Sequence, residues 1–98
     1  MTGSVSLFAE MEATPLNRER VSALLRAYGT EVRAEPGCLR FEAYHPSDQL
    51  DRYVIIEKYR DQAAFAEHLA TPHCAEFNAA VAPFIVGGAS VLTGLVEL

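Results

Sequence analysis

Three residues in the second half of the chain carry side chains suited to proton transfer: Glu57, His68 and His73. A histidine can exchange protons near neutral pH, and a neighbouring carboxylate can fix its tautomer and raise its basicity. Glu57 belongs to an apolar run in which residues at every second position share one face: Tyr53, Ile55, Glu57 and Tyr59. A carboxylate in such company is expected to be hydrogen-bonded or to have a raised pKa.

Both histidines belong to predicted helices. In the shorter helix Phe65 and Leu69 are predicted to face inward, and His68 lies about 60° from Phe65 around the helix axis, near that face. His73 begins the apolar stripe of the following helix. We therefore expect Glu57, His68 and His73 to approach one space between the helices and the sheet.

Plainer interpretations of the same residues stay open. Each histidine could be a hydrogen-bonded core or capping residue, and Glu57 could bond to backbone amides or to a tyrosine hydroxyl. A metal site is not predicted, because the His-x4-His spacing of His68 and His73 spans two helices across a proline. Cys38 and Cys74 are most simply small buried hydrophobes. No GxGxxG, phosphate loop or GxSxG motif supports nucleotide binding or acyl transfer.

The surrounding pattern predicts the elements that position these residues. "SVSLFAEMEA" alternates as a strand, and an apolar stripe predicts a helix from Arg18 to about Ala34. "CLRFEAYH", with Leu39, Phe41 and Ala43 on one face, and "RYVIIEKY" predict an antiparallel hairpin. Two short helices and a last strand within "IVGGASVLTGLVEL" follow, with the second helix carrying a stripe from His73 to Phe84. This order predicts an α+β, ferredoxin-like split βαβ fold with a four-stranded antiparallel sheet.

Length and charge restrict the class of protein. Ninety-eight residues predict a single domain over 1–98, and the net charge of −5 with scattered Lys and Arg argues against a nucleic-acid partner. No apolar run approaches the roughly 20 residues that cross a bilayer, and the N-terminus lacks signal-peptide features, so we expect a cytoplasmic protein without membrane contact. The last strand is apolar on both faces, which predicts a homodimer that packs sheet against sheet.

Two segments, "AEPGCLRFEAYHP" and "YVIIEKYRDQAAFAEHLATPHCAEF", resemble the antibiotic biosynthesis monooxygenase family of dimeric α+β barrel proteins. The resemblance rests on Pro-Gly-Cys before the second strand, Glu-x-aromatic-x-Asp at the end of the third, and His-Leu-x-x-Pro-His. It implies a homodimer with a pocket in each subunit between helices and sheet. Some members oxidise anthrone-like polyketides or quinols with O2 and no flavin, haem or metal. Related branches degrade haem, isomerise a small phosphorylated sugar derivative, or have no established activity.

The resemblance carries Glu57, His68 and His73 over as motif positions. Tyr59 stands where the family very often has Trp, and the first strand has no Asn, which argues against the haem-degrading branch. The leading hypothesis is a cofactor-independent monooxygenase that uses O2 on a small aromatic phenol, quinol or anthrone-like substrate. His68 would be the base, with Glu57 orienting it, and other aromatic residues are predicted to bind substrate: Tyr44, Tyr53, Tyr59, Phe65 and Phe77. The alternatives are an isomerase acting on a small hydroxy-carbonyl compound and a non-catalytic dimeric binding module.

Overall fold

The computed structural model describes residues 3–98, which form one four-stranded sheet and three α-helices. The strands are β1 (Val5–Glu12), β2 (Cys38–Tyr44), β3 (Arg52–Tyr59) and β4 (Val91–Leu95), and the helices are α1 (Arg18–Arg33), α2 (Gln62–Leu69) and α3 (Pro72–Val81). The strand order is β2-β3-β1-β4, and every neighbouring pair is antiparallel. The predicted ferredoxin-like α+β fold is therefore confirmed.

The core lies between one face of the sheet and the helices. Every second residue of β1 is buried on this face, and β3 repeats the pattern because Leu7 pairs with Glu57 and Ala9 with Ile55. Helix α1 packs its apolar stripe against these strands, and four residues of the stripe are buried: Val21, Leu25, Tyr28 and Val32. The helices thus cover one sheet face only.

The two short helices each begin at a side chain that caps the first turn. The Asp61 carboxylate accepts a hydrogen bond from the backbone N–H of Ala64 at 2.8 Å. Thr71 accepts one from the N–H of Cys74 at 3.2 Å, with Pro72 at the first position of α3. These caps fix where α2 and α3 begin, and hence the positions of His68 and His73 along these helices.

The predicted inward face of α2 is wrong by one position. Ala64 and His68 are buried, whereas Phe65 is only partly buried and Leu69 is 51 % exposed. The cause is a close approach by the turn before β2: a Cβ on Gly37 would lie 2.3 Å from the Cβ of Ala64. That contact turns the Ala64–His68 side of α2 towards the sheet.

The buried face of β2 and the end of α3 also differ from the prediction. Leu39 is 59 % exposed because a β-bulge lets Cys38 pair with Tyr59 and Arg40 with Lys58, and of the predicted face only Phe41 is buried. The apolar stripe of α3 runs through Cys74, Phe77 and Val81, and the helix ends there, so Phe84 lies in a separate 3₁₀ turn.

The C-terminal segment forms a strand of five residues, shorter than its apolar sequence. Gly87 and Gly88 adopt positive φ angles of 77° and 75° and bend the chain before β4 begins. The large apolar residues of this segment are exposed: Val91, Leu92, Leu95, Val96 and Leu98. Within residues 3–98, no helix combines the length and apolar character that a membrane crossing requires.

Candidate functional site

A carboxylate and two imidazoles meet where the turn after α1 contacts α2 and α3. The Glu35 carboxylate lies 3.0 Å from Nδ1 of His68 and 2.6 Å from Nε2 of His73. The side chains of Glu35 and His68 are 11 % and 5 % exposed, and that of His73 is 19 % exposed. The three groups therefore form a polar cluster that is largely withdrawn from water.

The hydrogen bonds of this cluster define the tautomer of a neutral His68. An ionised carboxylate only accepts, so Nδ1 of His68 carries the proton that it donates to Glu35. The lone pair is then on Nε2, which lies 3.3 Å from the Tyr28 hydroxyl and 3.9 Å from Oε1 of Glu57. Nε2 is thus held in the state that accepts a proton, with its carboxylate partner on the opposite side of the ring.

Glu57 is the second acidic group beside His68, and β3 places it on the buried face of the sheet. The Tyr59 hydroxyl donates a hydrogen bond to its Oε1 at 2.7 Å. Burial raises the pKa of Glu57 above its ordinary value, although the Tyr59 hydrogen bond and the nearby His68 oppose the change. A carboxyl shifted in this direction exchanges its proton closer to neutral pH than an exposed glutamate does.

Tyr28 brings an aromatic surface and a hydroxyl to the same place. Its ring stacks on Phe77 with 4.2 Å between ring centroids and 5° between planes. Burial raises the pKa of the Tyr28 hydroxyl far above its ordinary value, so the hydroxyl stays protonated and donates to Nε2 of His68. A substrate oxygen at Nε2 would displace the Tyr28 hydroxyl or accept a hydrogen bond from it.

His68 lines a small cavity of about 70 Å³, which we call the His68 cavity, together with Tyr28 and Glu57, whose oxygens lie beside its Nε2. Its wall is mainly apolar, and its polar groups include the His68 imidazole, the Glu57 carboxyl and the Tyr28 hydroxyl. Ile55, Phe65 and Phe77 are among its apolar lining residues. Ser90 and Leu92, at the start of the last strand, form part of the same wall. A volume of this size holds a few water molecules or a small part of a ligand.

Half of the eight residues predicted for the site line this cavity: Glu57, Phe65, His68 and Phe77. Tyr59 does not line it, although the centroid of its ring lies 4.8 Å from that of the His68 ring. His73 contacts Glu35 and does not line the cavity. His73 is therefore linked to the site through its hydrogen bond with Glu35.

Tyr44 and Tyr53, also predicted to bind substrate, lie elsewhere. They line a separate depression between α1 and β2, which we call the α1–β2 groove, together with Ser22, Arg26, Arg33 and Phe41. Neither tyrosine is among the residues of the His68 cavity. Tyr53 is buried on the core face of the sheet, as the alternation of β3 predicts, whereas Tyr44 is 52 % exposed.

Sequence reasoning missed Glu35 and did not assign Tyr28 to the site. Glu35 lies 33 residues from His68, in the Glu-Pro-Gly turn that ends the α1 region, and Tyr28 was accounted for as a core residue of α1. The available signal was an acidic residue beside the Pro-Gly-Cys motif, but nothing in its spacing links it to a histidine. Within residues 3–98, no three His, Cys, Asp or Glu side chains are arranged to hold a metal ion.

Comparison with known proteins identifies the family. The sequence profile described as antibiotic biosynthesis monooxygenase matches residues 4–80. Rv0793 of Mycobacterium tuberculosis, named as a proposed monooxygenase, is 36 % identical over 81 residues, which are 83 % of this chain and 79 % of that protein. The chain therefore belongs to the antibiotic biosynthesis monooxygenase family.

Solved structures agree with this assignment. The structure of Rv0793 matches with a TM-score of 0.88 and 32 % identity, covering 97 % of this chain and 95 % of that one. PA3566 of Pseudomonas aeruginosa also matches with a TM-score of 0.88, at 27 % identity, covering 97 % of this chain and 94 % of that one. Both are similar to this chain over almost its full length.

Proposed function

We propose that this protein is a monooxygenase that oxidises a small phenol or hydroquinone with O2 and without a cofactor. The observation that carries the proposal is the orientation of His68, whose Nδ1 bonds to Glu35 at 3.0 Å while Nε2 lies beside Tyr28 and Glu57, which line a mainly apolar cavity. A base in this arrangement can take a phenolic proton and leave an electron-rich phenolate in a space with little water. Family membership supports the same reaction class.

The phenolate supplies the electrons for this reaction. For hydroquinone, a C–O bond forms between a ring carbon and O2, the O–O bond then breaks, and the products are hydroxyquinone and water. One oxygen atom of O2 becomes bonded to a ring carbon. The other oxygen atom leaves as water with two hydrogen atoms of the substrate. The protein contributes the base at His68, and the Tyr28 hydroxyl can donate a hydrogen bond to oxygen that gains negative charge.

The size of the cavity favours a single aromatic ring over the anthrone-like substrates included in the sequence hypothesis. About 70 Å³ is well below the roughly 300–1,000 Å³ of pockets that enclose whole drug-sized ligands. Leu69 and Leu92 line the cavity and are about half exposed, so their side chains can move to admit one ring. A tricyclic compound would require a larger rearrangement of the cavity wall than one ring does.

A second candidate function is isomerisation of a small hydroxy-carbonyl compound. It is favoured by two proton-exchanging groups on one cavity, with Nε2 of His68 3.9 Å from Oε1 of Glu57. Such a pair can remove a proton from one carbon and return it to the next. This reaction consumes no O2, which separates it experimentally from oxygenation.

The test is O2 uptake by metal-free protein with a panel of monocyclic hydroquinones and phenols, compared with parallel anaerobic incubations. The proposal predicts uptake above the uncatalysed rate, with one O2 consumed per substrate oxidised. Turnover of a hydroxy-carbonyl panel without O2 consumption would favour the isomerase instead. Ligand binding with no turnover of either panel would favour the non-catalytic binding module.

The proposal includes a homodimer, in which the uncovered sheet face packs on its copy. Half-buried apolar residues of β1 and β3, Phe8, Val54 and Ile56, occupy this face, and β4 adds Val91 and Leu95 beside them. Light scattering is expected to give twice the chain mass of 10.7 kDa. Ile56→Lys should produce the monomer, whereas Val86→Lys, an exposed apolar site outside the sheet, should not.

The predicted cytosolic location remains part of this proposal and agrees with the two free thiols, Cys38 and Cys74.

A further inference from the structure

The α1–β2 groove differs in size and charge from the His68 cavity. Its volume is about 440 Å³, within the range that encloses small ligands. Arg26 and Arg33 line it, and no Asp or Glu does. Neither arginine forms an ion pair within residues 3–98, although the chain carries a net charge of −5. The groove is thus a local concentration of unpaired positive charge on an acidic protein.

Arg33 is held in place before any ligand arrives. Its Nη1 donates a hydrogen bond to the carbonyl of Phe41 at 3.0 Å, which ties the end of α1 to β2. The guanidinium lies against Gly29, where a Cβ would be only 2.9 Å from Nη1. The remaining N–H groups of Arg33 make no hydrogen bond within the described residues, so they are available to an anion at little cost in side-chain ordering.

The groove also offers aromatic surface. Phe41, Tyr44 and Tyr53 line it. The Tyr44 hydroxyl donates to Glu42 at 3.0 Å, and that of Tyr53 donates to the carbonyl of Arg18 at 2.8 Å. With their hydroxyls engaged, both tyrosines present mainly ring carbon to a ligand.

The groove and the His68 cavity share two wall residues, Leu25 and Phe41. A ligand in the groove is therefore one side chain away from the cavity. We propose that the α1–β2 groove binds a small aromatic carboxylate, with the carboxylate on Arg26 and Arg33 and the ring against the aromatic wall. This site is separate from the His68 cavity, and binding there does not depend on the proposed function.

Calorimetric titration under anaerobic conditions tests the groove without requiring turnover. The probes are 2,5-dihydroxybenzoate and its uncharged analogue 2,5-dihydroxybenzamide. The full chain is expected to bind the acid about tenfold more tightly than the amide, as one charge-assisted contact would give. Raising the salt concentration should weaken binding of the acid more than that of the amide.

Three variants locate the contact. Arg26→Gln and Arg33→Gln should bring the acid-to-amide affinity ratio towards one. Gly29→Ala should reduce the ratio while keeping every charge, because the new methyl displaces the Arg33 guanidinium. Arg20→Gln is the matched control, since Arg20 lies on the same helix over the Phe84 ring and does not line the groove; it should keep the ratio of the unmodified protein.

Equal affinity of the unmodified protein for acid and amide would overturn the inference, as would a preference that persists in both arginine variants. The outcome is separable from that of the proposed function. A preference for the acid without O2 uptake would support the groove and contradict the oxygenase. Uptake of O2 with neutral hydroquinone and no preference for the acid would support the oxygenase and contradict the groove.

Discussion

Glu35 and His68 are 33 residues apart in sequence, yet both carboxylate oxygens of Glu35 lie within 3.1 Å of Nδ1 of His68. The same carboxylate accepts from His73 at 2.6 Å, so one acid fixes two imidazoles. The consequence for His68 is a free ring nitrogen, Nε2, on the side of Tyr28 and Glu57, two residues that line the cavity. This relationship is the physical basis for treating His68 as a base.

Glu35→Gln is expected to lower the oxidation rate by at least about tenfold, because the neutral amide no longer enforces a proton on Nδ1. The ¹⁵N resonances of the His68 ring should report a single Nδ1–H tautomer in the unmodified protein and a mixture in the variant. Glu31→Gln, an exposed change at the end of α1, is the control and should alter neither measurement. An unchanged tautomer in Glu35→Gln would remove the positioning role.

Glu57→Gln tests the buried carboxyl through the pH dependence of stability. The folded-state pKa of Glu57 is raised above 4.5, so the folded protein holds this proton more tightly than the unfolded chain does. Its stabilising contribution is complete below pH 4.5 and is lost as pH rises through the folded-state value. Urea unfolding between pH 4 and 8 should show the variant gaining stability relative to the unmodified protein as pH rises. A constant difference across this range would contradict the raised pKa.

Tyr59→Phe removes only the hydroxyl that donates a hydrogen bond to Glu57. The variant keeps the buried ring but leaves a buried carboxylate oxygen without its donor, which should lower the free energy of unfolding by about 1–3 kcal/mol at neutral pH. Tyr44→Phe is the matched control, because Tyr44 also donates to a glutamate, Glu42, but at an exposed position. Its effect should stay within about 0.5 kcal/mol. Equal effects of the two changes would mean that burial of Glu57 has little energetic weight.

Gly37→Ala tests the packing that brings Glu35 and His68 together. The added methyl would lie 2.3 Å from the Cβ of Ala64, so α2 must move away, at an expected cost of about 1–3 kcal/mol. Because His68 lies one turn along α2 from Ala64, oxidation should fall as well. Gly94→Ala, where a Cβ meets nothing within 4 Å, should leave both properties unchanged. A fully stable and active Gly37→Ala would show that the close approach is not required.

The sequence predicted the element order well because each strand and helix has its own hydrophobic period, as in Val21–Tyr28 of α1. It placed Glu57 and His68 on one site because both lie beside local apolar patterns. Glu35 escaped because its role depends on a contact between a turn and two later helices, which no local pattern encodes. The α2 face was wrong for a related reason: rotation of a short helix is set by the tertiary contact between Gly37 and Ala64.

The most direct test of the account is steady-state O2 consumption with a monocyclic hydroquinone, comparing the unmodified protein with His68→Ala. If Nε2 of His68 accepts the phenolic proton, the protein should consume one O2 per hydroquinone, and the variant should lose at least about 100-fold in rate while remaining folded. Equal rates in the two proteins, or a rate no faster than the uncatalysed reaction, would contradict the assignment of His68 as the base of a cofactor-independent monooxygenase.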